Sequence, residues 1–427
     1  MKKMNYNCFA KISLIWLSAL MMSSCVEKLN LSASPGIVEI EAISEEAFSI
    51  SITANVEWKA FVKEDVEWLS IEPEQGSGNG TIYVKAQENA VFAERTVRLV
   101  IMGEGVGTDT IRIVQYASLD IAEKIVDKIF RESCLENFDR NPQDGKISVR
   151  EANNVRNINV RHLGIKTLAG IEYFPKITEL NCMDNEIETL DLSKNTDLRT
   201  LNCSYNPLGN MDFSKYPKLT DLTINDIGIT GIDISKNPAL KYLTVSNNDL
   251  TSIDVSNNME LSELRCDNTK LTTLDVSKNP NLESLSCGGN DLRKVDVSKN
   301  AKLVHLYCSS NNNLSEITDV SQNPALQTLY CSNTKISSLN LRNNANLSYL
   351  FCEKTEITTL DLSQNTKLTN FRCNPKLNGS IDISNNKELR YINLQENTSL
   401  NTIYVWTDFD DLNRYYEKDA KTGYIKK

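Results

Sequence analysis

Cysteine is the residue whose spacing first suggests chemistry in this sequence. Eight of its eleven cysteines occupy one position of a repeat: Cys182, Cys203, Cys266, Cys287, Cys308, Cys331, Cys352 and Cys373. An even number of cysteines in an exported protein usually indicates disulfides. Stacked strands, however, lie about 4.8 Å apart with parallel side chains, whereas a disulfide needs its Cβ atoms about 3.8 Å apart. Because Ile224, Val245 and Leu394 fill the same position in other copies, the pattern favours buried free thiols over disulfides.

A second set of chemically versatile residues is aromatic or basic and lies at the third and fifth positions of the same repeat. Its members are Tyr242, Arg265, His305, Tyr307, Tyr330, Tyr349, Phe351, Arg372 and Tyr391. These positions alternate with buried Leu and Cys, so their side chains should project to one side on neighbouring turns. Exposed clusters of aromatic residues and arginine are typical of binding surfaces. The alternative is an aromatic ladder that stacks on itself and only stabilises the sheet.

The element that positions both sets is a 21-residue repeat running from Ile177 to Glu388, with a partial copy opening at Leu389. It reads L-x-x-L-x-C-x-x-N-x-L-x-x-L-D-L-S-x-N-x-x, and only the Leu303 copy is longer, by two residues around Asn312. A short fixed period predicts a solenoid whose turns bury their apolar faces by stacking. The pattern resembles leucine-rich repeats of a short bacterial class with nested half-repeats. That resemblance implies two short strands per turn and two parallel ladders.

Two polar columns of the repeat are interpreted as scaffold. The nineteenth position is asparagine in nine copies and Tyr216 in another, as expected for a buried amide that bonds neighbouring backbone groups. The fifteenth position is nearly always aspartate, from Asp191 to Asp382. Stacked carboxylates repel, so they must be solvated or neutralised by the nearby Ser and Lys. The alternative, a row of cation sites, lacks the glycine-rich turns of calcium-binding β-rolls.

A loop ahead of the repeats, from Phe138 to Glu151, carries oxygen ligands. Gly145, Ile147 and Glu151 hold the offsets of an EF-hand or dockerin-like calcium loop, which the segment resembles. The ligands implied for a structural Ca²⁺ are Asp139, Asn141, Asp144 and Glu151. The opening ligand position, however, falls on Arg140. The open alternative is a relic loop in which Ser148-x-x-Glu151 only caps the next helix.

The N-terminus predicts export and a lipid anchor. A basic start and an apolar run from Ile12 to Met22 are typical of a signal peptide, and the run is too short to span a membrane. The following residues, up to Cys25, resemble a bacterial lipobox. The resemblance implies a signal peptide at residues 1–24, a lipidated linker at 25–29 that begins with acylated Cys25, and a position on the cell envelope, with the outer membrane favoured and the leaflet open.

Residues 30–117 contain about seven short alternating strands, which indicate a β-sandwich. Trp58, Trp68-Leu-Ser and Gly76-Ser-Gly-Asn-Gly80 resemble the BACON domain, an immunoglobulin-like module of bacterial envelope proteins. The family was named for a suspected carbohydrate role, but many members are spacers. We interpret Trp58 and Trp68 as core residues and the domain as a spacer rather than a sugar site.

Residues 118–160 form the predicted helical connector, with a helix from Asp120 to Arg131, and residues 161–406 the solenoid. Residues 407–427 lack the period and are expected to cap the last turn. The fold class is therefore multidomain: an immunoglobulin-like β-sandwich, a short helical connector and a β-rich leucine-rich-repeat solenoid.

The functional prediction is a non-catalytic envelope lipoprotein whose solenoid binds a protein or glycan. A net charge of -10 argues against nucleic acid as a partner. Only two histidines occur and no catalytic motif appears, so no enzyme activity is expected, and no cofactor beyond the Ca²⁺ considered above. We expect a monomer. The alternatives are a structural spacer without a dedicated ligand and, from another class, a hydrolase.

Overall fold

A computed structural model describes residues 28–41, 46–89, 94–116, 119–140, 143–374, 376–410 and 415–427. The signal peptide, Cys25 and Asn141 lie outside these residues. The chain divides into two compact units, Met1–Ser118 and Leu119–Lys427. Among the described residues, no helix is long and apolar enough to cross a membrane.

The first unit contains two sheets that share one apolar core. Its strands are β1 (Leu31–Ser34), β2 (Ile37–Ile40), β3 (Phe48–Ala54), β4 (Glu57–Val62), β5 (Leu69–Glu72), β6 (Gln75–Ser77), β7 (Gly80–Ala86), β8 (Arg95–Gly103) and β9 (Gly107–Gln115). One sheet has the order β1-β3-β7-β5 and the other β2-β9-β8-β4-β6. Every pairing is antiparallel except that of β2 with β9. Alternate residues of each strand, such as Ile50, Ile82 and Leu99, are fully buried between the sheets.

The glycine motif of this unit encloses a tryptophan. Trp58 is 3% exposed, and its indole N–H donates to the Gly78 carbonyl at 2.9 Å. A Cβ on Gly76 would lie 2.3 Å from the indole ring, and one on Gly80 would lie 2.9 Å from it. Trp68 is half-buried, with the Arg95 guanidinium 4.2 Å from its ring centre. The glycines are thus required by packing around a core tryptophan.

The second unit begins with a short helical segment that packs onto the solenoid. It comprises a 3₁₀ turn (Ala122–Lys124), helix α1 (Lys128–Phe138) and helix α2 (Val149–Asn154). The predicted helix from Asp120 to Arg131 is wrong, because the chain extends at Ile125 and Asp127 caps α1 instead. Val126 and Ile129, which such a helix would place on its apolar face with Ile121 and Ile125, are exposed. Ile121, Phe130 and other apolar residues of this segment belong to the same core cluster as the repeats, so the connector closes the first turn of the solenoid.

Thirteen parallel strands, one per turn, form the face sheet of the solenoid. They are β10 (Asn157–Asn159), β11 (Glu179–Asn181), β12 (Thr200–Asn202), β13 (Asp221–Thr223), β14 (Tyr242–Thr244), β15 (Glu263–Arg265), β16 (Ser284–Ser286), β18 (His305–Tyr307), β20 (Thr328–Tyr330), β21 (Tyr349–Phe351), β22 (Asn370–Arg372), β24 (Tyr391–Leu394) and β26 (Tyr415–Lys418). Each strand pairs in register with the same repeat positions of its neighbour, as Leu264 does with Leu285. The first-half ladder predicted from the repeat is therefore present.

The second ladder forms only in part, so the prediction of two complete ladders is wrong. Its strands are β17 (Lys294–Val295), β19 (Glu316–Ile317), β23 (Asn378–Asp382), β25 (Ser399–Val405) and β27 (Gly423–Lys426). Elsewhere in the described repeats, second halves meet through isolated contacts, such as the hydrogen bond from Lys270 N to Leu250 O or the bridge between Asp275 and Asp296. Three short 3₁₀ turns (Ile171–Tyr173, Phe213–Lys215 and Val320–Gln322) lie in the same half.

The C-terminal segment continues the solenoid. Strand β26 pairs with β24 and strand β27 with β25, both in parallel. Trp406, Phe409, Tyr416 and Tyr424 form one aromatic cluster, with ring centres about 5 Å apart. Lys427 bonds the Asp382 carboxylate at 2.7 Å. The segment therefore covers the last turn by adding a further one, without the repeat sequence.

Candidate functional site: the aromatic ladder of the face sheet

The face sheet brings six of the nine predicted surface residues into one continuous row. Its members, which we call the aromatic ladder, are His305, Tyr307, Tyr330, Phe351, Arg372 and Tyr391. Each stands beside buried leucine, isoleucine or phenylalanine of its own strand, because side chains alternate across a strand. The in-register pairing of Tyr307 with Tyr330, and of Tyr330 with Phe351, places their rings on one side.

The ladder is held by ring and cation contacts. The Tyr307 and Tyr330 rings meet edge to face at 5.1 Å, and the Tyr330 and Phe351 rings stack at 4.4 Å with 10° between their planes. The Arg372 guanidinium lies 5.1 Å from the Phe351 ring and 4.8 Å from the Tyr391 ring. Burial against these neighbours raises the pKa of Tyr330. The self-stacking that was the alternative interpretation is therefore present, and it occupies faces of the Tyr330 and Phe351 rings.

The ladder is nevertheless open to solvent. Its six members are half-buried rather than covered, since the C-terminal segment extends the sheet at its end instead of folding over it. Tyr349 lies beside the ladder and is 41% exposed. The other two predicted residues are separate: Tyr242 is exposed three strands before His305, and Arg265 forms an ion pair with Glu263. The predicted surface thus resolves into one ladder with a flanking tyrosine and two isolated residues.

All eight repeat cysteines are buried and free, as predicted, and so is Cys134 of α1. The thiols of Cys266, Cys308 and Cys352 donate to carbonyls of the next turn, as Cys308 does to the Tyr330 carbonyl at 3.4 Å. Burial raises the pKa of Cys182 to about 12. Burial also raises the pKa of Cys203, Cys266, Cys287, Cys308, Cys331 and Cys352. The column acts as a stack of small apolar side chains directly beneath the ladder.

These thiols should resist modification until the solenoid unfolds. A thiol reagent at pH 8 is expected to leave the nine buried cysteines unlabelled in the native chain and to label all of them in denaturant, because the thiolate is the reactive form.

The buried thiols should also make stability depend on pH. Since the raised pKa keeps the folded thiols neutral, the thiols of unfolded chains ionise first as the pH rises. The free energy of unfolding should therefore be retained below about pH 9 and fall above it, as measured by urea titration. Rapid native labelling of Cys266 or Cys287 would contradict this.

Two asparagine columns tie the turns together. At the nineteenth position, the Asn258 amide donates to the carbonyls of Ile234 at 3.1 Å and Asn237 at 2.8 Å. In the exceptional copy the position is filled by the buried Tyr216. The ninth position, for which no role was predicted, forms a second column: the Asn290 amide donates to the Cys266 and Cys287 carbonyls, and its oxygen accepts from Leu271 N. The asparagine at the ninth position of the repeat pattern could have indicated this role.

The aspartate column closes turns. The carboxylate of Asp254, for example, accepts from the backbone N–H of Ser256 at 2.9 Å. Hydrogen bonds from the Ser256 hydroxyl and backbone lower the pKa of Asp254. Equivalent bonds form at Asp191, Asp212, Asp233, Asp275, Asp296, Asp319, Asp361 and Asp382. The column is therefore accounted for as scaffold.

In the loop that resembles a calcium site, the carboxylates accept hydrogen bonds from the loop's own backbone. Asp139 accepts from the backbone N–H of Asp144 and Gly145, and Glu151 accepts from those of Arg140 and Ser148. Ser148 and Glu151 form a capping box on α2. Within the described residues no group of three or more His, Cys, Asp or Glu side chains is arranged to hold a metal. Asn141, the fourth implied ligand, lies outside the described residues, so the Ca²⁺ site stays a prediction.

Comparison with known proteins supports the assignment of both modules. The family model BACON ("Putative binding domain, N-terminal") matches residues 56–116. The functional domain of InlJ from Listeria monocytogenes, which includes a cysteine ladder, is 28% identical, with a TM-score of 0.57 over 72% of this chain and 70% of that one. A leucine-rich repeat protein of Leptospira interrogans is 20% identical, with a TM-score of 0.53 over 60% and 69% of the two chains. A comparison with curated proteins gives no match.

An internalin of Listeria monocytogenes, InlF, is 17% identical, with a TM-score of 0.52 over 72% of this chain and 98% of that one. At such identities the Leptospira protein and InlF report on the fold alone. Together with the face sheet, these structures show that the second unit is a leucine-rich repeat solenoid of about 13 turns. The predicted solenoid and BACON module are confirmed.

Proposed function

We propose that this chain is a non-catalytic envelope protein whose solenoid binds a protein partner through the aromatic ladder. The observation that carries the proposal is a half-exposed row of five rings and one arginine on the face sheet. Residues of these types dominate the binding energy of protein interfaces. The similarity to InlJ and the internalin fold adds support, since repeat proteins use such sheets as extended interaction surfaces.

A protein partner is favoured over a glycan by the orientation of the rings. Sugars are bound by stacking on an open aromatic face, whereas Tyr330 and Phe351 stack on each other and Arg372 covers the far face of the pair. The Arg372 side chain is 36% exposed, and its guanidinium donates to the Tyr391 hydroxyl at 2.8 Å and lies 3.7 Å from the Glu353 carboxylate. These groups suit the mixed apolar and hydrogen-bonding surface of a folded protein.

The self-stacking also favours a second candidate, a spacer in which the ladder only stiffens the sheet. Aromatic pairs of this geometry contribute roughly 0.5–1.5 kcal/mol each beyond their burial. Alanine at Tyr330 or Phe351 would thus weaken both the solenoid and any interface. Tyr349 separates the two candidates, because it is exposed and no ring contact involves it within the described part of the chain.

The decisive experiment places a photo-crosslinking amino acid at Tyr349 in cells that make the protein. We expect one discrete adduct, identified by mass spectrometry as a protein. The matched control is Ser338, an exposed residue of the neighbouring turn's second half, which should give none. Absence of an adduct at Tyr349, or an equal adduct at Ser338, would support the spacer. Tyr349→Ala should abolish co-purification of the adduct's partner without lowering the melting temperature.

The location on the envelope rests on the lipobox, and we propose that acylated Cys25 anchors the chain to a membrane, with the outer membrane favoured. The first unit, an immunoglobulin-like sandwich in this proposal, would hold the solenoid away from the lipid as a spacer. Cys25→Ser is expected to move the protein from the detergent phase to the aqueous phase on Triton X-114 partitioning, since the acyl chains would be lost. Unchanged partitioning would refute the proposed lipid anchor at Cys25.

A further inference from the structure

A cavity far from the aromatic ladder lies at the N-terminal end of the second unit. It is open to solvent, lies between the C-terminal end of α1, helix α2 and strand β10, and has a volume of about 430 Å³. A second cavity of about 220 Å³ shares Asn137, Phe138 and Asn157 with the first. The two form one groove with Phe138 in its wall. The side-chain amide of Asn137 donates to the Ser133 carbonyl and that of Asn157 to the Glu179 carboxylate, each at 2.7 Å.

The first cavity is lined by three arginines, Arg140, Arg150 and Arg156, and by a single carboxylate, that of Glu151. The oxygens of Glu151 already accept from the backbone N–H groups of Arg140 at 2.8 Å and Ser148 at 2.9 Å. The lining therefore has a net charge of +2, in a chain whose net charge is -10. Such a concentration of one charge in a concave site attracts ligands of the opposite charge.

Two of the guanidinium groups are held by helix ends. The Nε of Arg140 donates to the Asn137 carbonyl at 2.7 Å, and Nη1 of Arg156 donates to the carbonyls of Asn153 at 2.7 Å and Val155 at 3.0 Å. A guanidinium carries five N–H donors, so each retains donors for a ligand. Because these bonds already fix both groups, little side-chain entropy is lost on binding.

We infer that this groove binds a small dianionic oxyanion, the phosphate group of a monoester. Planar guanidinium groups bond such oxygens in pairs, and two net positive charges match a dianion. The second cavity, with Phe138 and the side-chain amides of Asn137 and Asn157, gives room for the carbon-bearing part of the ester. The loop that resembles a calcium site thus presents Arg140 where a cation ligand would stand.

The competing explanation is that Arg140 and Arg156 only satisfy the last carbonyls of two helices. Titration calorimetry on the exported chain, at constant ionic strength, separates the two. Inorganic phosphate and sulfate should each bind at one site, glycerol phosphate should bind more tightly than inorganic phosphate, and chloride should give no saturable heat. The double variant Arg140→Gln/Arg156→Gln should bind phosphate at least about tenfold more weakly, whereas the control Arg265→Gln should bind normally.

Three results would overturn the inference: saturable chloride binding of equal strength, equal affinities for glycerol phosphate and inorganic phosphate, or unchanged phosphate binding by the double variant. Since the double variant also removes two helix caps, its folding must be checked by circular dichroism. Should it unfold, NMR of the unmodified chain decides. Phosphate should then shift the side-chain amide signals of Asn137 and Asn157 and leave that of Asn281, on the solenoid, in place. Absence of a shift at Asn137 and Asn157 would refute the site.

Discussion

Asn258→Ala should lower the free energy of unfolding of the solenoid by about 3 kcal/mol, whereas Asn257→Ala should lower it by less than about 0.5 kcal/mol. The two residues are adjacent, but Asn258 is fully buried and Asn257 is exposed. The first substitution removes two hydrogen bonds to the carbonyls of Ile234 and Asn237 and leaves a cavity. The second removes no hydrogen bond described for this chain. Urea unfolding followed by far-UV circular dichroism measures both.

Asn258→Asp should lower the free energy of unfolding further than Asn258→Ala does. The amide of Asn258 uses its nitrogen, while its oxygen has no hydrogen-bond partner among the described residues. A carboxylate of the same size would lose both donors and place a buried charge near two carbonyl oxygens. We expect this variant to be less stable than Asn258→Ala at pH 7 and to recover partly at about pH 4, as the acid is protonated. Equal stability of Asn257 and Asn258 variants would show that the column does not hold the turns together.

Gly76→Ala should unfold the first unit while leaving the solenoid folded. A Cβ at Gly76 would lie 2.3 Å from the Trp58 ring, which is buried and has its N–H bonded to Gly78. Because a ring in a packed core cannot move aside without disturbing its neighbours, overpacking here should cost at least about 3 kcal/mol. Gly36→Ala is the matched control, since a Cβ at that residue would meet no atom within 4 Å and its backbone needs no left-handed conformation.

Tryptophan fluorescence reports on this change directly. Of the tryptophans that the structure describes, Trp58 and Trp68 lie in the first unit and Trp406 lies in the second. Gly76→Ala should red-shift the emission, and the cooperative unfolding of the solenoid measured by circular dichroism should persist. Gly36→Ala should keep the native emission and a melting temperature equal to or slightly above that of the original chain. Native emission from Gly76→Ala would mean that the glycines have another role.

The strictly periodic parts of the molecule were predictable from the sequence because each turn buries the same repeat positions against its neighbours. Leu264, Cys266 and Asn258 are buried as their columns indicate. The ladder was predictable for the same reason: Tyr330 and Phe351 share a repeat position and therefore a side of the sheet. Their mutual stacking was one of two open alternatives, since periodicity fixes the side on which rings lie but not their tilt.

The parts that sequence reasoning missed depend on contacts outside the period. Helix α1 starts at Lys128 rather than near Asp120 because Asp127 supplies the cap and Ile125 is needed in the core. The second ladder is incomplete although both half-repeats alternate alike, because sheet pairing also requires a backbone path that alternation does not specify. The last turn carries no repeat signal, and its strands β26 and β27 follow from the exposed edges of β24 and β25.

The longer Leu303 copy shows where the solenoid accepts change. Its two additional residues leave the face sheet in register, since Leu306 pairs with Leu285 before them and with Leu329 after them. Length variation is thus absorbed away from the ladder. Because each turn contacts only its neighbours, unequal recombination within the gene would insert or delete whole turns without rewriting the aromatic surface. Each such event would move that surface along the axis by about 4.8 Å without changing its side chains.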